Sequence, residues 1–379
     1  MKNQQAFAPF VALGLFAVFS GLSAPVASAD PREWNENNDP SDMLNQYEAR
    51  LDQLPTSATL PAQKMPWSDS YWPSKQGGIA ARWFQKNASS KYSNFNYYSP
   101  NLAELHKMTS EEVALLSPAE KYDIYRGKYN YPLVARERDR TGPDSKSWEG
   151  ICHGWSAASM LHAEPVPVTV VNADGIAIPF GSSDVKALMS LFYAHASDNE
   201  VGNVVQLGAR CEKSKVGNLL SRHSDEDCAD TNPGTFHLAL GNLIGKRQTG
   251  FIAELDDSRQ VWNHPVMGYQ STLGKRARPS RKAAPSAVSE VEVKTVVSYI
   301  IEINPTWEAV LGTPNEKSKT IEYRYTLELD GQGAIVGGEW LSSGHPDFIW
   351  TLDRLDFNRA DLKEGDIDFS GITGIYKTR

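Results

Sequence analysis

Three observations predict an α+β fold for this chain. Helix-capping signals concentrate in its first half, apolar residues recur with period two from Val291 onward, and regular strand–helix–strand alternation is missing between them. The residues fall into five stretches. They are a signal peptide over 1–29, a mainly helical region over 30–140, and a core over 141–270 with a cysteine helix and His/Asn strands. A basic linker or loop follows over 271–290, and an antiparallel β region over 291–379 packs on the core.

At the N-terminus, Lys2 supplies a weak basic region and Phe7 to Leu22 an apolar run, and Ala27-Ser28-Ala29 gives the small-x-small cleavage pattern ahead of Asp30. The run is too short, and too quickly followed by Asp30-Pro31-Arg32-Glu33, for a stable membrane span. The protein is therefore expected to be secreted or periplasmic, with cleavage near Ala29. The full chain carries a formal charge of −8; Lys2 is the only charge that leaves with the signal, so the mature protein is at −9. That balance argues against nucleic acid as a partner. The roughly 350 remaining residues suit one decorated domain or two.

The stretch from Asp30 to Pro61 is polar, with one amphipathic helix expected over Ser41 to Leu54. Trp67, Tyr71, Trp72 and Trp83 mark an aromatic-rich loop system. Thr109 with Glu112, and Ser117 with Glu120, fit capping boxes, and Pro118 suits a first helical position. Val166 to Val171, the turn Asn172-Ala173-Asp174-Gly175 and Ile176 to Phe180 read as a hairpin, and Ser182-Ser183-Asp184 starts a helix that runs to about His195. Phe236 to Leu240 and Gly250 to Leu255 read as strands. The basic run Lys275 to Lys282 reads as exposed loop. Beyond it, Val291 to Ile303 and Ile321 to Leu329 alternate as antiparallel sheet.

The chemistry centres on Cys152-His153-Gly154-Trp155, where a short loop feeds a helix of small residues. A thiol in the first turn meets unpaired N–H groups and the positive end of the helix dipole, which favour a thiolate. Cys211 and Cys228, 17 positions apart around a polar stretch, form a natural disulfide in an oxidising compartment, which leaves Cys152 as the odd thiol. A loop of that size is worth about 3 kcal/mol.

A thiol nucleophile needs a base, and the base needs an orienting group. His153 is adjacent and expected to point elsewhere, and His162 lies too far along the helix. His195 and His223 have polar surroundings, and His264 and His345 precede prolines. His237 is the preferred base, placed at the mouth of the apolar strand Leu238-Ala239-Leu240, as papain-like thiol enzymes present theirs. Asp256, Asp257 and Asn263 are the candidate orienters, with Asn263 preferred. The Cys152 N–H and the Trp148 indole are candidate oxyanion donors, and Trp148, Trp155 and Trp262 are candidate walls. The acidic run Asp225-Glu226-Asp227 with Asp230 lacks EF-hand spacing and reads as a solvated loop.

Several of these residues also carry a family resemblance. Val261-Trp262-Asn263-His264-Pro265-Val266-Met267-Gly268-Tyr269 resembles VWNQPVRGF, the surface peptide of the oomycete transglutaminase elicitors. Here His264, Met267 and Tyr269 replace Gln, Arg and Phe. Tyr71-Trp72-Pro73 with Gly77-Gly78-Ile79, Gly150 to Trp155, and Gly337-Gly338-Glu339-Trp340 with His345-Pro346-Asp347-Phe348 are similar to that family too. The likeness runs from about residue 65 to 350, and the signal peptide has a bacterial style. It implies a protein-glutamine γ-glutamyltransferase on a papain-like scaffold, with Cys152 as nucleophile and with calcium dependence. Its partners would be proteins offering glutamine as acyl donor and lysine or a polyamine as acceptor. The rival readings are a cysteine peptidase or amidase on the same site, and a non-catalytic surface-binding protein.

Overall fold

A computed structural model describes residues 34, 37–85, 97–209, 230–255, 260–363 and 365–379. Among these residues, ten strands and nine α-helices make up the regular elements, with one π-helix and short 3-10 turns besides. The N-terminal region is helical but broken. Helix α1 (Pro40–Leu44) stops where Asn45 and Gln46 adopt left-handed backbone at φ 36° and 51°, and only a 3-10 turn follows at Leu51–Gln53. The single helix expected over Ser41 to Leu54 is therefore replaced by two short pieces. Strand β1 (Ser57–Thr59) follows, then helices α2 (Leu102–Leu105), α3 (Ser110–Ala114), α4 (Pro118–Tyr125) and α5 (Pro132–Arg140). Both expected capping boxes form, at Thr109/Glu112 and Ser117/Glu120.

The cysteine helix is α6 (Cys152–Leu161), and the predicted hairpin is β2 (Val168–Val171) with β3 (Ala177–Phe180). Helix α7 (Ser182–Asp198) starts as expected but runs three residues beyond His195. Strand β4 (Val205–Gly208) precedes helix α8 (Pro233–Ala239), which continues to Arg247 in the wider turns of a π-helix. The strand expected at Phe236 to Leu240 is thus helical. Asn232 caps its start by accepting from the Gly234 N–H at 2.8 Å, Pro233 takes the first position, and the apolar residues behind them serve equally well on a buried helix.

Strands β5 (Phe251–Glu254), β6 (Asn263–Ala277), β7 (Ser289–Ile300), β8 (Ser318–Leu329), β9 (Ile335–Trp340) and β10 (Phe348–Thr351) complete the elements that build the sheet. The large sheet runs in the order β4-β10-β5-β6-β7-β8-β9, antiparallel throughout, with β1 paired to β6. It draws strands from both sides of the expected linker. Residues 271–290 are instead the outer arms and tip of the β6–β7 hairpin, and Lys275 and Arg276 lie within β6. The peptide at 261–269 enters β6, where Asn263 to Val266 are buried between β5 and β7. It is a central strand here, not a surface feature.

One apolar core lies around α4, α6 and α7. A second lies between α8 and the sheet. Helices α6 and α7 touch at Gly154, where an added methyl group would sit 2.0 Å from the Ser190 carbonyl oxygen and 2.8 Å from the Ala194 Cβ. No helix among the described residues is long and apolar enough to cross a membrane.

Alanine in place of glycine ordinarily strengthens a helix by about 1 kcal/mol. Gly154→Ala should do the opposite, lowering stability by about 1–3 kcal/mol through overpacking against α7, as read from urea unfolding. A gain in stability would mean that the two helices are not in contact at this point.

Candidate active site

Cys152 is the first residue of α6, behind the cap residue Ile151, and is buried with 5 % of its surface exposed. Two backbone features hold the loop that leads to it. The Ile151 N–H donates to the Tyr71 carbonyl at 2.8 Å, and a side chain at Gly150 would lie 2.4 Å from that same oxygen. Only glycine fits there. As a first-turn residue, Cys152 also carries an N–H that the helix itself cannot use.

Among the described residues the sulfur has two hydrogen-bond partners. The Val261 carbonyl oxygen lies 3.7 Å away and the Asn263 side-chain nitrogen Nδ2 lies 3.8 Å away. The imidazole of the adjacent His153 lies within electrostatic reach of the thiol. Asn263 is the first residue of β6, and its carbonyl accepts from Ser156 Oγ at 2.7 Å, tying the strand to α6. The Trp350 indole N–H donates to Asn263 Oδ1 at 2.8 Å. Indole only donates, so Oδ1 is the acceptor and the amide's N–H donors must face the sulfur.

His153 corrects the expectation that it points away. Its Nε2 lies 3.5 Å from Asp198 Oδ1, at the last residue of α7. Burial by itself pushes the imidazolium to lower pKa, but Asp198 and Cys152 together outweigh that and raise it to about 9. The Asp198 carboxyl is held below its ordinary value by His153, against the opposing effect of burial, with His195 and Arg140 adding to the lowering. His153, with Asp198 beside it, is therefore the titratable histidine nearest in sequence to the thiol and is electrostatically coupled to it.

His237 does not join this group. It lies in the last turn of α8, not at a strand mouth, and its Nδ1 is 2.8 Å from the Tyr325 hydroxyl within the second core. Burial lowers its pKa to about 4, the setting of a neutral structural imidazole. Asn263 is at the site, but it faces the sulfur rather than a histidine. Asp256 and Asp257 lie outside the described residues, as do Cys211, Cys228 and His223.

The tryptophans separate. Trp262 packs edge-on against Tyr71 with centroids 4.9 Å apart and walls the site beside Val261. Trp155 is core, fully buried with its indole N–H donating to the Trp67 carbonyl at 3.2 Å. Trp148 sits under the Lys146 ammonium, 5.4 Å from the ring centre. His264 is buried against Trp155 and Tyr299, and His345 stacks on Trp340. Among the described residues no group of three or more His, Cys, Asp or Glu is arranged to hold a metal ion, and Asp225 to Asp227 lie outside them.

Sequence reasoning missed His153 and Asp198 for separate reasons. Adjacency to the thiol counted against His153, and α7 was expected to end before Asp198. The small residues Gly154, Ala157 and Ala158 on α6 were the available signal that another helix comes close.

No curated protein matches the chain. The solved structure of the GP42 transglutaminase from Phytophthora sojae is similar, with a TM-score of 0.65 and 23 % sequence identity over 91 % of this chain and 97 % of that one. At that identity the likeness establishes a shared fold of helices and antiparallel sheet. The sequence pattern described as "Transglutaminase elicitor" matches residues 43–360, which is most of the chain. The chain belongs to the transglutaminase elicitor family.

Proposed function

We propose that this protein is an exported protein-glutamine γ-glutamyltransferase that works through a Cys152 thioester. The observation that carries the reading is the convergence of Cys152, His153 and Asp198 at the start of α6, with the Asn263 amide facing the sulfur. Family membership and the transglutaminase named in the structural comparison support the same chemistry. A thiol at the head of a helix packed on an antiparallel sheet is also the arrangement of papain-like enzymes. The apolar run from Phe7 to Leu22, with the cleavage pattern Ala27-Ser28-Ala29 behind it, supports export.

The cycle needs only these groups. The Cys152 thiolate, paired with the His153 imidazolium, attacks the carboxamide carbon of a protein glutamine. As the C–N bond breaks, His153 gives its proton to the leaving nitrogen and ammonia departs, leaving a thioester and a neutral imidazole. A lysine or polyamine nitrogen then attacks the thioester, His153 takes a proton from it, and the C–S bond breaks to return the thiolate. The product is an isopeptide. Asp198 holds the imidazole in place and stabilises its charge. The Cys152 N–H and the Asn263 amide N–H are the two donors for the oxyanion, and Tyr71 and Trp262 shield the thioester from bulk water.

Incubation with a glutamine-bearing protein and a labelled primary amine tests the reading. Incorporation should be lost in Cys152→Ala; cleavage or deamidation without incorporation would favour a hydrolase at the same site. Asn263→Ala should lower kcat by about 10²–10³, with Cys152 still open to alkylation. An unchanged kcat would remove Asn263 from the oxyanion site.

The His153 pair also predicts a pH dependence of stability. His153 holds its proton more tightly in the folded state, near 9, than in the unfolded chain, near about 6.5. Its contribution is fully present below the unfolded value and is lost as pH rises through the folded one. Unfolding free energy should fall by up to about 3 kcal/mol across that window, and Asp198→Asn should flatten the slope. An unaltered slope in the variant would mean that the two side chains are not paired.

A further inference from the structure

A cavity of about 610 Å³ shares Tyr71 with the site. Tyr71, Trp72, Pro73, Trp83, Glu302 and Asn304 are among its lining. Trp72 is fully buried, which leaves Tyr71 and Trp83 as the aromatic side chains open to a ligand, and Glu302 is the only charged residue among the described residues of that lining. Tyr71 joins the cavity to the chemistry. Its phenol is within electrostatic reach of both Cys152 and Glu302, and its backbone carbonyl holds the loop before Cys152.

Glu302 is poorly satisfied where it stands. Its side chain is 18 % exposed, and its buried Oε1 accepts no hydrogen bond. The His264 Nδ1, 3.8 Å away, lies closer to the Ile300 carbonyl at 3.2 Å. A carbonyl only accepts, so the Nδ1 proton is directed there. Lys319 acts on Glu302 only as a surrounding charge, too weakly to offset its burial. A buried carboxylate oxygen without a donor is costly, and an incoming ammonium group would supply up to three N–H donors. Aromatic walls suit the rest of such a ligand, since they attract a cation across their faces and cover an alkyl stem.

We infer that this cavity is the acceptor subsite, where Glu302 and the rings of Tyr71 and Trp83 receive a primary alkylammonium such as a lysine side chain, which leaves one proton on the Glu302 carboxylate before its free amine attacks the thioester. The inference rests on the transferase reading for its purpose but not for its binding chemistry. An anion would be repelled by Glu302, and an uncharged amide would leave Oε1 short of the charge it lacks.

Cadaverine binding to the Cys152→Ala protein, measured by calorimetry with and without Glu302→Gln, tests it apart from turnover. Cadaverine should bind and 1-pentanol should not, and Glu302→Gln should weaken cadaverine at least tenfold. Equal affinity in both proteins, or no binding, overturns the inference. In the active protein, Glu302→Gln should raise KM for cadaverine tenfold or more and shift KM for hydroxylamine, uncharged at neutral pH, far less. Equal shifts for both nucleophiles would mark Glu302 as merely structural and overturn the inference. If the wild type releases no ammonia from a glutamine peptide, the transferase reading fails, and the calorimetry still judges the cavity.

Discussion

At Gly154 the backbone of α6 comes so close to α7 that one methyl group would lie 2.0 Å from the Ser190 carbonyl oxygen. That approach lets the imidazole of the preceding residue reach the far end of α7, where Asp198 waits 3.5 Å away. A wider helix spacing would leave His153 in solvent beside an unassisted thiol. The same packing turns the head of α6 toward β6, where Ser156 ties the Asn263 carbonyl and Trp350 sets the Asn263 amide. The Cys152–His153 pair, the Asp198 carboxylate and the Asn263 amide therefore come from three elements, α6, α7 and β6, whose relative positions follow from one close contact.

Helix α7 is held from its other end by buried charge. Lys121 pairs with Asp184 at 2.7 Å and Lys186 with Glu164 at 2.6 Å, with both lysines fully buried. The remaining valences are filled: Asp184 accepts from the Gly181 N–H and the Trp83 indole, and Glu164 from the Val310 and Leu311 N–H groups. Buried ion pairs contribute little net stability against desolvation. Breaking one is severe, however, so these pairs specify a single axial position for α7. That position carries Asp198 to His153.

Period two beyond Val291, the Thr109 and Ser117 caps, the β2–β3 hairpin and the Cys152 helix were all legible in the sequence, because each is set by neighbours within a few residues. What was not legible depends on partners far along the chain. The apolar run at Phe236 to Leu240 fits strand or helix equally, and only its burial between α1 and the sheet decides for helix. The basic residues at 275 and 276 read as loop, yet pairing with β7 makes them strand. His237 drew notice through an apolar setting that proves to be simple burial against Tyr325. His153 was discounted by adjacency alone, although consecutive residues can share one site when the flanking helix supplies the third group. Glu302 has no local signature, and its isolation appears only once the loops around Tyr71 are folded.

The central claim is that Cys152 works with the histidine beside it, not with the one in the second core. Amine incorporation per folded molecule, measured for His153→Gln and His237→Gln in parallel, tests this most directly. The account predicts a loss of at least about a hundredfold for His153→Gln, and near wild-type turnover for folded His237→Gln. Activity retained in the first variant and abolished in the second would contradict it.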